Sequence, residues 1–406
     1  MTENCGALAG VKVVDLSRVL AGPYATQILG DHGADVIKVE PPAGDETREW
    51  GPPFRDGDAA SGASAYYLNI NRNKRGMALD LTKPEAREVV FRLLADADVL
   101  VENFKIGTLE KWGMGHDVLS VKFPRLVHAQ VTGFGADGPL GGMPGYDAIV
   151  QTMVSLSSCN GSPESGPVKL GVPMVDMTTG LNLVIGILMA LLERQRSGKG
   201  QFVEVALYDA GISILHPHSG NWLLGGRIPK LLGNAHPNLA PYDLFPTATR
   251  PIYLGIGNEA QFRKAMTVLG LPELANDPRF RSVPDRNVNR AVLTAALRER
   301  LATLDGVAIA MELLRAGVPA GPLNTIEETL NDPQTAVREM VIEMDGYRGI
   351  ASPVKLSRSK SSTRQTPPDF GTDNASVLRE AGYNEDDIER LTGLGVVVNR
   401  RTGSPS

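Results

Sequence analysis

Apolar and polar positions alternate along the first 130 residues in blocks that predict strands separated by helices. Val11-Lys12-Val13-Val14-Asp15-Leu16 and Asp35-Val36-Ile37-Lys38-Val39-Glu40 read as strands. Between them runs a helix through Gln27-Ile28-Leu29, with Pro23 near its start, where no amide donor is missed. Strand, helix, strand over so short a span implies parallel pairing and a Rossmann-like layered arrangement. The pattern continues with a strand at 77–81, a helix at 84–95 and strands at 98–102 and 126–131.

Elsewhere the periodicity weakens. Residues 41–65 are rich in Pro, Gly, Asp and Ala and read as a surface excursion, and glycines and prolines are dense between 133 and 171. Loops of the second kind on a rigid sheet often form sites. Residues 181–192 form a helix that is apolar nearly all round and is therefore expected to be buried. Asn182 and Gly186 interrupt this run, which is short for a bilayer span and reads as a core helix. A strand at 202–207 and a helical stretch to about 224 follow. A smaller unit then begins near 241, with a strand at 252–256, the turn Gly257-Asn258-Glu259 and several helices to about 316. A polar connector at 357–366, a helix at 385–391 and a polar tail complete the chain.

Composition narrows the function classes. The 406 residues are 42% hydrophobic and 21% charged, an ordinary globular balance with room for two or three domains. The formal net charge of −5 and the lack of a basic block disfavour a nucleic-acid surface. Two cysteines, Cys5 and Cys159, far apart, fit a reducing cytoplasm, and the first residues lack the pattern of a secretory signal. The dinucleotide fingerprint Gly-x-Gly-x-x-Gly is absent from the first turn, so no nicotinamide or flavin site is expected. His216, His218 and His236 have no neighbouring cysteine and no metal-motif spacing, which favours structural roles over zinc.

Asp176, in Leu170-Gly171-Val172-Pro173-Met174-Val175-Asp176-Met177-Thr178-Thr179-Gly180, is the best candidate for a catalytic group. A carboxylate placed before a buried helix is costly unless something uses it. It reads either as an N-cap, worth about 1 kcal/mol, or as a nucleophile kept ionised by helix-terminal amides. Spacing alone favours the cap. Lys74, Arg75, Lys105 and Lys111 lie just outside predicted strands, where α/β sheets place ligands, and could hold phosphates.

These features together resemble the family III CoA-transferases, the group of formyl-CoA transferase, the carnitine CoA-transferases and the α-methylacyl-CoA racemases. The similarity runs from about residue 8 to 398. It is carried by Arg18-Val19-Leu20-Ala21-Gly22-Pro23, Gly33-Ala34-Asp35-Val36-Ile37-Lys38-Val39-Glu40, Asn71-Arg72-Asn73-Lys74-Arg75, Val101-Glu102-Asn103-Phe104, Thr132-Gly133-Phe134-Gly135 and the Asp176 segment, in the family's order.

The resemblance implies an α/β fold: a Rossmann-like large domain over 1–224, completed by 326–406, and a smaller α+β domain over 225–325, with two chains interlocked as a homodimer. It implies that Asp176 attacks an acyl-CoA thioester, forming an anhydride and then an aspartyl-CoA thioester. Arg18, Val19 and Ala21 would line the CoA channel, Lys74 and Arg75 would face its phosphates, and Asn103 with Lys111 would hold the pantetheine or adenine end. Gly257, Asn258 and Glu259 match a glycine-rich lid, with fewer glycines than that of formyl-CoA transferase. Acyl-CoA and a free carboxylic acid are the implied partners, with no resident cofactor, metal, nucleic acid or membrane.

Racemases of this family need a second base opposite the aspartate, a histidine in a Gly-His-Asp segment. The chain has Gly145-Tyr146-Asp147. A phenol titrating near ~10 is a poor base at neutral pH, which favours transfer over racemisation. A non-catalytic CoA-binding protein would be expected to lose the carboxylate, and Asp176 is present. The segments 101–113 and 233–242 look most like relatives that move CoA between succinyl-CoA and dicarboxylates.

Overall fold

The computed structural model describes residues 6–402, so Cys5 and the end of the polar tail lie outside the described residues. The chain divides into two compact units: Met1–Val154 with Gly171–Leu215 and Pro333–Ser406, and Ser155–Leu170 with His216–Asp332. The divisions fall at 215/216 and 332/333 rather than at the 224/225 and 325/326 expected from the sequence, and residues 155–170 group with the smaller unit.

The larger unit is built on six strands, β1 (Lys12–Asp15), β2 (Asp35–Glu40), β3 (Lys74–Ala78), β4 (Val99–Glu102), β5 (Val127–Thr132) and β6 (Phe202–Ala206). All pair in parallel in the order β3-β2-β1-β4-β5-β6. Parallel sheets are usually covered on both faces, and the central strands here are: every residue of β4 and β5 is buried. Helix α1 (Ala21–Asp31) connects β1 to β2, and α2 (Pro84–Leu94) connects β3 to β4. The α2 face carrying Ala86, Val89, Val90 and Leu94 packs with Val377, Leu378 and Leu391 of the carboxy-terminal helices into one core cluster with sheet residues such as Val14, Met77 and Leu100. Two further helices, α3 (Asp147–Met153) and α4 (Met174–Ser197), follow β5, and α4 packs on α1, β5 and β6.

Three expectations change. The third strand begins at Lys74 rather than 77, which puts Lys74 and Arg75 inside the ladder opposite Val36 and Ile37. The excursion at 41–65 carries buried charge: Arg48 is 1% exposed, bound to Glu40 and the Tyr67 hydroxyl. The apolar helix is α4, 24 residues long, and by length and composition it could cross a membrane. Only part of it is buried, since Leu181, Ile185, Met189 and Leu192 form an exposed stripe. The sequence reading missed this because an apolar residue reports a preference for burial and not what covers it.

The smaller unit holds a three-stranded antiparallel sheet with Ile252–Gly255 in the centre, between Tyr242–Phe245 and Ala320–Pro322. Helices Glu259–Val268, Arg290–Leu301 and Gly306–Arg315 contribute Phe262, Met266, Leu293, Leu297 and Leu313 to its core, an α+β arrangement.

Candidate functional site

With the strands numbered as above, β1 and β4 are neighbours whose connections leave in opposite directions along the sheet. That is the topological switch point, where an open parallel sheet leaves a crevice beyond its carboxyl ends. A cavity of about 200 Å³ sits there. The turn after β1 supplies Arg18, Val19 and Ala21, the segment after β4 supplies Asn103 and Lys105, the loop after β5 supplies Gly133 and Tyr146, and α4 supplies Asp176. Seven residues singled out in the sequence, Arg18, Val19, Ala21, Asn103, Lys105, Tyr146 and Asp176, thus come together in one wall.

Close backbone approaches make this possible. A Cβ on Gly180 would lie 2.7 Å from the Ala21 carbonyl oxygen, so only glycine lets α4 lie this close to the start of α1. Asp176 is one turn earlier on α4 and is thereby brought beside the Arg18–Ala21 turn. Gly133 and Gly145 make a similar contact, each Cβ position falling within 3.0 Å of the other's backbone. That contact holds the Tyr146 loop against the end of β5.

Asp176 is not an N-cap. It is the third residue of α4, whose N-cap position is Pro173, a residue with no side-chain acceptor. The cap comes from another helix: Asp147 Oδ2 accepts the amides of Val175 at 2.8 Å and Asp176 at 3.1 Å. Those are the two amides an N-cap side chain would bind. Asp147 Oδ1 accepts from Gln151 Nε2 at 2.6 Å. Contrary to the expectation of a carboxylate held ionised by helix amides, burial, and next the charge of Asp147, push Asp176 up to about 7. The amides that would have lowered it are occupied by a second carboxylate.

The turn after β1 is strained and firmly held. Val19 has φ 71°, a left-handed conformation that a β-branched residue adopts at a cost of about 1–3 kcal/mol. Arg18 donates its amide to Asn103 Oδ1 at 2.9 Å and accepts Asn103 Nδ2 at 2.8 Å, and the Val19 amide reaches Asp45 Oδ1 at 3.3 Å. Beneath the turn, Lys38 Nζ bridges Asp45 (2.9 Å) and the Ser17 carbonyl (3.0 Å). Asn103 therefore shapes the wall through the backbone of Arg18.

The expected phosphate contacts from Lys74 and Arg75 are not where the sequence put them. Lys74 is 1% exposed, and its ammonium is consumed by Asp15 (3.1 Å), the Pro23 carbonyl (2.8 Å) and Asn71 (2.9 Å). Arg75 pairs with Asp35 and Glu380 and lines a different cavity. Both corrections follow from β3 starting at Lys74, which alternates the two side chains to opposite faces of the sheet. Lys111 ends the helix Thr108–Lys111, exposed and outside the cavity wall. The cations that do line the wall are Arg18, which faces Glu46 at 3.6 Å, and exposed Lys105.

Gly257, Asn258 and Glu259 belong to the smaller unit, where they open helix Glu259–Val268. Asn258 is its N-cap, accepting the Gln261 amide, the Gly257 amide donates to Gln261 Oε1, and Glu259 accepts the amide of Val283. In the same unit His236 stacks on Tyr242 at 4.9 Å and accepts the Asn238 amide. Among the described residues no cluster of His, Cys, Asp or Glu is arranged to hold a metal, and no histidine lines the cavity.

Two residues at the site were missed. Asp147 stood in a segment read only for its lack of a histidine, yet Pro173 at an N-cap position signals that a cap must come from elsewhere. Tyr66 follows the stretch read as an excursion. Burial, then the charges of Asp176 and Asp147, push its phenol up to about 12.

Residues 8–374 match the profile described as CoA-transferase family III. The chain is 40% identical over 384 residues to the succinate–glutarate CoA-transferase of Agrobacterium fabrum, covering 92% of this chain and 95% of that one. It is 37% identical to the succinyl-CoA:glutarate CoA-transferase of Mus musculus, over 98% of this chain and 92% of that one. Among solved structures, a CaiB/BaiF family protein from Brucella suis superposes with a TM-score of 0.83 at 41% identity, over 93% of this chain and 99% of that one. The parallel sheet agrees with these likenesses, and the chain is a CoA-transferase of family III.

Proposed function

We propose that this enzyme moves CoA from succinyl-CoA to a short-chain dicarboxylic acid, with Asp176 as the covalent carrier. The observation that carries the reading is the Asp176 carboxylate in the wall of the switch-point cavity, beside the Arg18–Ala21 turn. The names of the relatives, which act on succinate and glutarate, support the substrate class.

An Asp176 oxygen attacks the thioester carbon, the C–S bond breaks, and CoA leaves as thiolate from a mixed anhydride. The thiolate then attacks the aspartyl carbonyl, releasing the donor acid and leaving an aspartyl-CoA thioester. The acceptor carboxylate repeats the two steps in reverse order and departs as its CoA thioester, regenerating Asp176. No step needs outside energy, because each intermediate keeps the acyl group activated. A carboxylate whose basicity is raised toward 7 is a better nucleophile than an exposed one, provided that it is ionised. Arg18 and Lys105, the cations of the cavity wall, would meet the CoA phosphates.

The working form is a homodimer, interlocked as the resemblance implies. The α4 stripe of Leu181, Ile185, Met189 and Leu192 supports it, since an uncovered apolar helix face fits a second copy of the chain.

The test incubates the purified protein with succinyl-CoA and a panel of free acids in heavy water, following new CoA thioesters and α-deuterium in a 2-methylacyl-CoA. Transfer without α-exchange is the expected result. Rapid Asp176-dependent deuterium uptake with no transfer to any acid would make the enzyme a racemase. Sedimentation as a stable monomer would remove the dimer.

A further inference from the structure

The chain leaving β4 supplies four consecutive wall residues of the switch-point cavity, Asn103, Phe104, Lys105 and Ile106. Residues 103–105 have no regular secondary structure, so side chains must set their course. Asn103 is tied to the turn after β1 by its paired hydrogen bonds with the Arg18 backbone. The Phe104 ring stands edge-on to Trp112, with 5.4 Å between centroids. The Phe104 amide is held by Glu102, whose Oε2 accepts it at 2.8 Å.

Glu102 is a costly group for that task. It ends β4, is 0% exposed, and through Oε1 accepts Gln130 Nε2 from β5, the residue directly opposite it in the ladder. Both donors are neutral amides. Its one ion-pair partner among the described residues is His128, whose Nε2 lies 3.5 Å from Oε1 without a hydrogen bond. A carboxylate buried with so little cationic support is a liability for stability, and a local rule broken beside a cavity points to a use at the site. The use visible in the structure is position. Glu102 links the Phe104 amide to Gln130, two residues before the wall residue Thr132, while Asn103 reaches Arg18. The turn after β1, the stretch after β4 and the end of β5 are thereby joined at the carboxyl end of the sheet.

We infer that Glu102 is a positioning residue for acyl-CoA binding: braced by Gln130, it fixes the 103–106 stretch as a ready-made wall for the CoA thioester. A stretch that is already held does not have to be ordered when the ligand arrives, so that cost is removed from binding. Asp176 belongs to α4, so the chemical steps do not pass through Glu102. The inference rests on the transferase reading above and adds the group that shapes the wall.

The consequence is a kinetic split. Succinyl-CoA meets the free enzyme, so its kcat/KM contains the whole of the CoA binding energy. The acceptor acid meets an enzyme that already carries CoA on Asp176. The strength of CoA binding is then common to ground and transition states and cancels from the acid's kcat/KM.

Three variants of the full-length enzyme test this. Glu102→Leu removes the acceptor and should lower kcat/KM for succinyl-CoA about tenfold, the effect of one buried amide left unpaired, with kcat/KM for the acid unchanged. Gln130→Leu removes only the brace and should show the same split at about threefold; it decides the matter where Glu102→Leu does not fold. Glu102→Gln keeps an oxygen for the Phe104 amide and offers its NH2 to the oxygen of a flipped Gln130, so it should retain wild-type values. Equal falls in both ratios, the mark of lost folded enzyme, would overturn the positioning role. So would an unchanged kcat/KM for succinyl-CoA in both leucine variants, or a Glu102→Gln enzyme as impaired as Glu102→Leu. All these results leave the transferase reading standing. A wild-type enzyme that transfers CoA to no acid would overturn that reading and this inference together.

Discussion

Asp147 caps the helix that carries Asp176, and it does so by binding the amide of Asp176 itself at 3.1 Å. One carboxylate thus fixes the position of the other and, through its charge, raises the other's affinity for a proton. The two effects can be separated, because an asparagine oxygen accepts amide hydrogen bonds but carries no charge.

Asp147→Asn should therefore keep the fold and move the acid limb of kcat/KM for transfer to lower pH. In the wild type that limb is expected near 7, to which burial and the Asp147 charge push Asp176, and the nucleophile is lost as pH falls through it. Removing a like charge lowers the proton affinity of Asp176. A reduced rate with an unmoved limb would mean that Asp147 acts only as a cap.

Asp176→Asn should abolish transfer while leaving the helix capped, since Asp147 and not Asp176 provides the cap. Stability gives a second reading. A carboxyl raised in the folded state binds its proton more tightly there than in the unfolded chain, so its contribution is lost as pH rises from the ordinary carboxylate range through about 7. At pH 8 the asparagine variant should be more stable than the wild type, by roughly 1–3 kcal/mol, and at pH 4 the two should converge. Thermal unfolding across that range checks the sign.

Gly180→Ala places a methyl group 2.7 Å from the Ala21 carbonyl oxygen, where backbone has to move. A loss of about 1–3 kcal/mol in stability is expected. A fall in kcat is expected with it, because α4 carries Asp176 away from the turn. Substitution at Gly171, which has open space around it, is the control that should change neither.

Lysines 74 and 105 should behave oppositely. Lys105→Ala should raise KM for the acyl-CoA several-fold, roughly the effect of one exposed phosphate contact, in a salt-dependent way and without loss of stability. Lys74→Ala leaves Asp15 buried without its ammonium and should cost roughly 3–5 kcal/mol of stability. A fully stable Lys74→Ala with weakened CoA binding would restore Lys74 to the phosphate site.

Much of the larger unit was legible because parallel strands write themselves as short apolar runs. Five of the six strands fall within a residue or so of where periodicity put them, and the third was misplaced because Lys74 and Arg75 look like loop residues. Their burial depends on Asp15, 59 positions away, and on Asp35 and Glu380, partners that no local window contains. The charged stretch at 41–65 misled for a related reason, Arg48 finding Tyr67, 19 positions on, and the Pro368 carbonyl, 320 positions away.

Local pattern, then, determined the element types, and the order of short motifs identified the family and pointed to Asp176. Tertiary structure decided which motifs meet: Arg18, Val19, Ala21, Asn103, Lys105, Tyr146 and Asp176 in one wall, with Lys74, Arg75 and Lys111 elsewhere. It also decided the state of Asp176. A carboxylate's affinity for a proton is set by the water it loses and by the charges that distant residues bring near, and only the folded chain determines either.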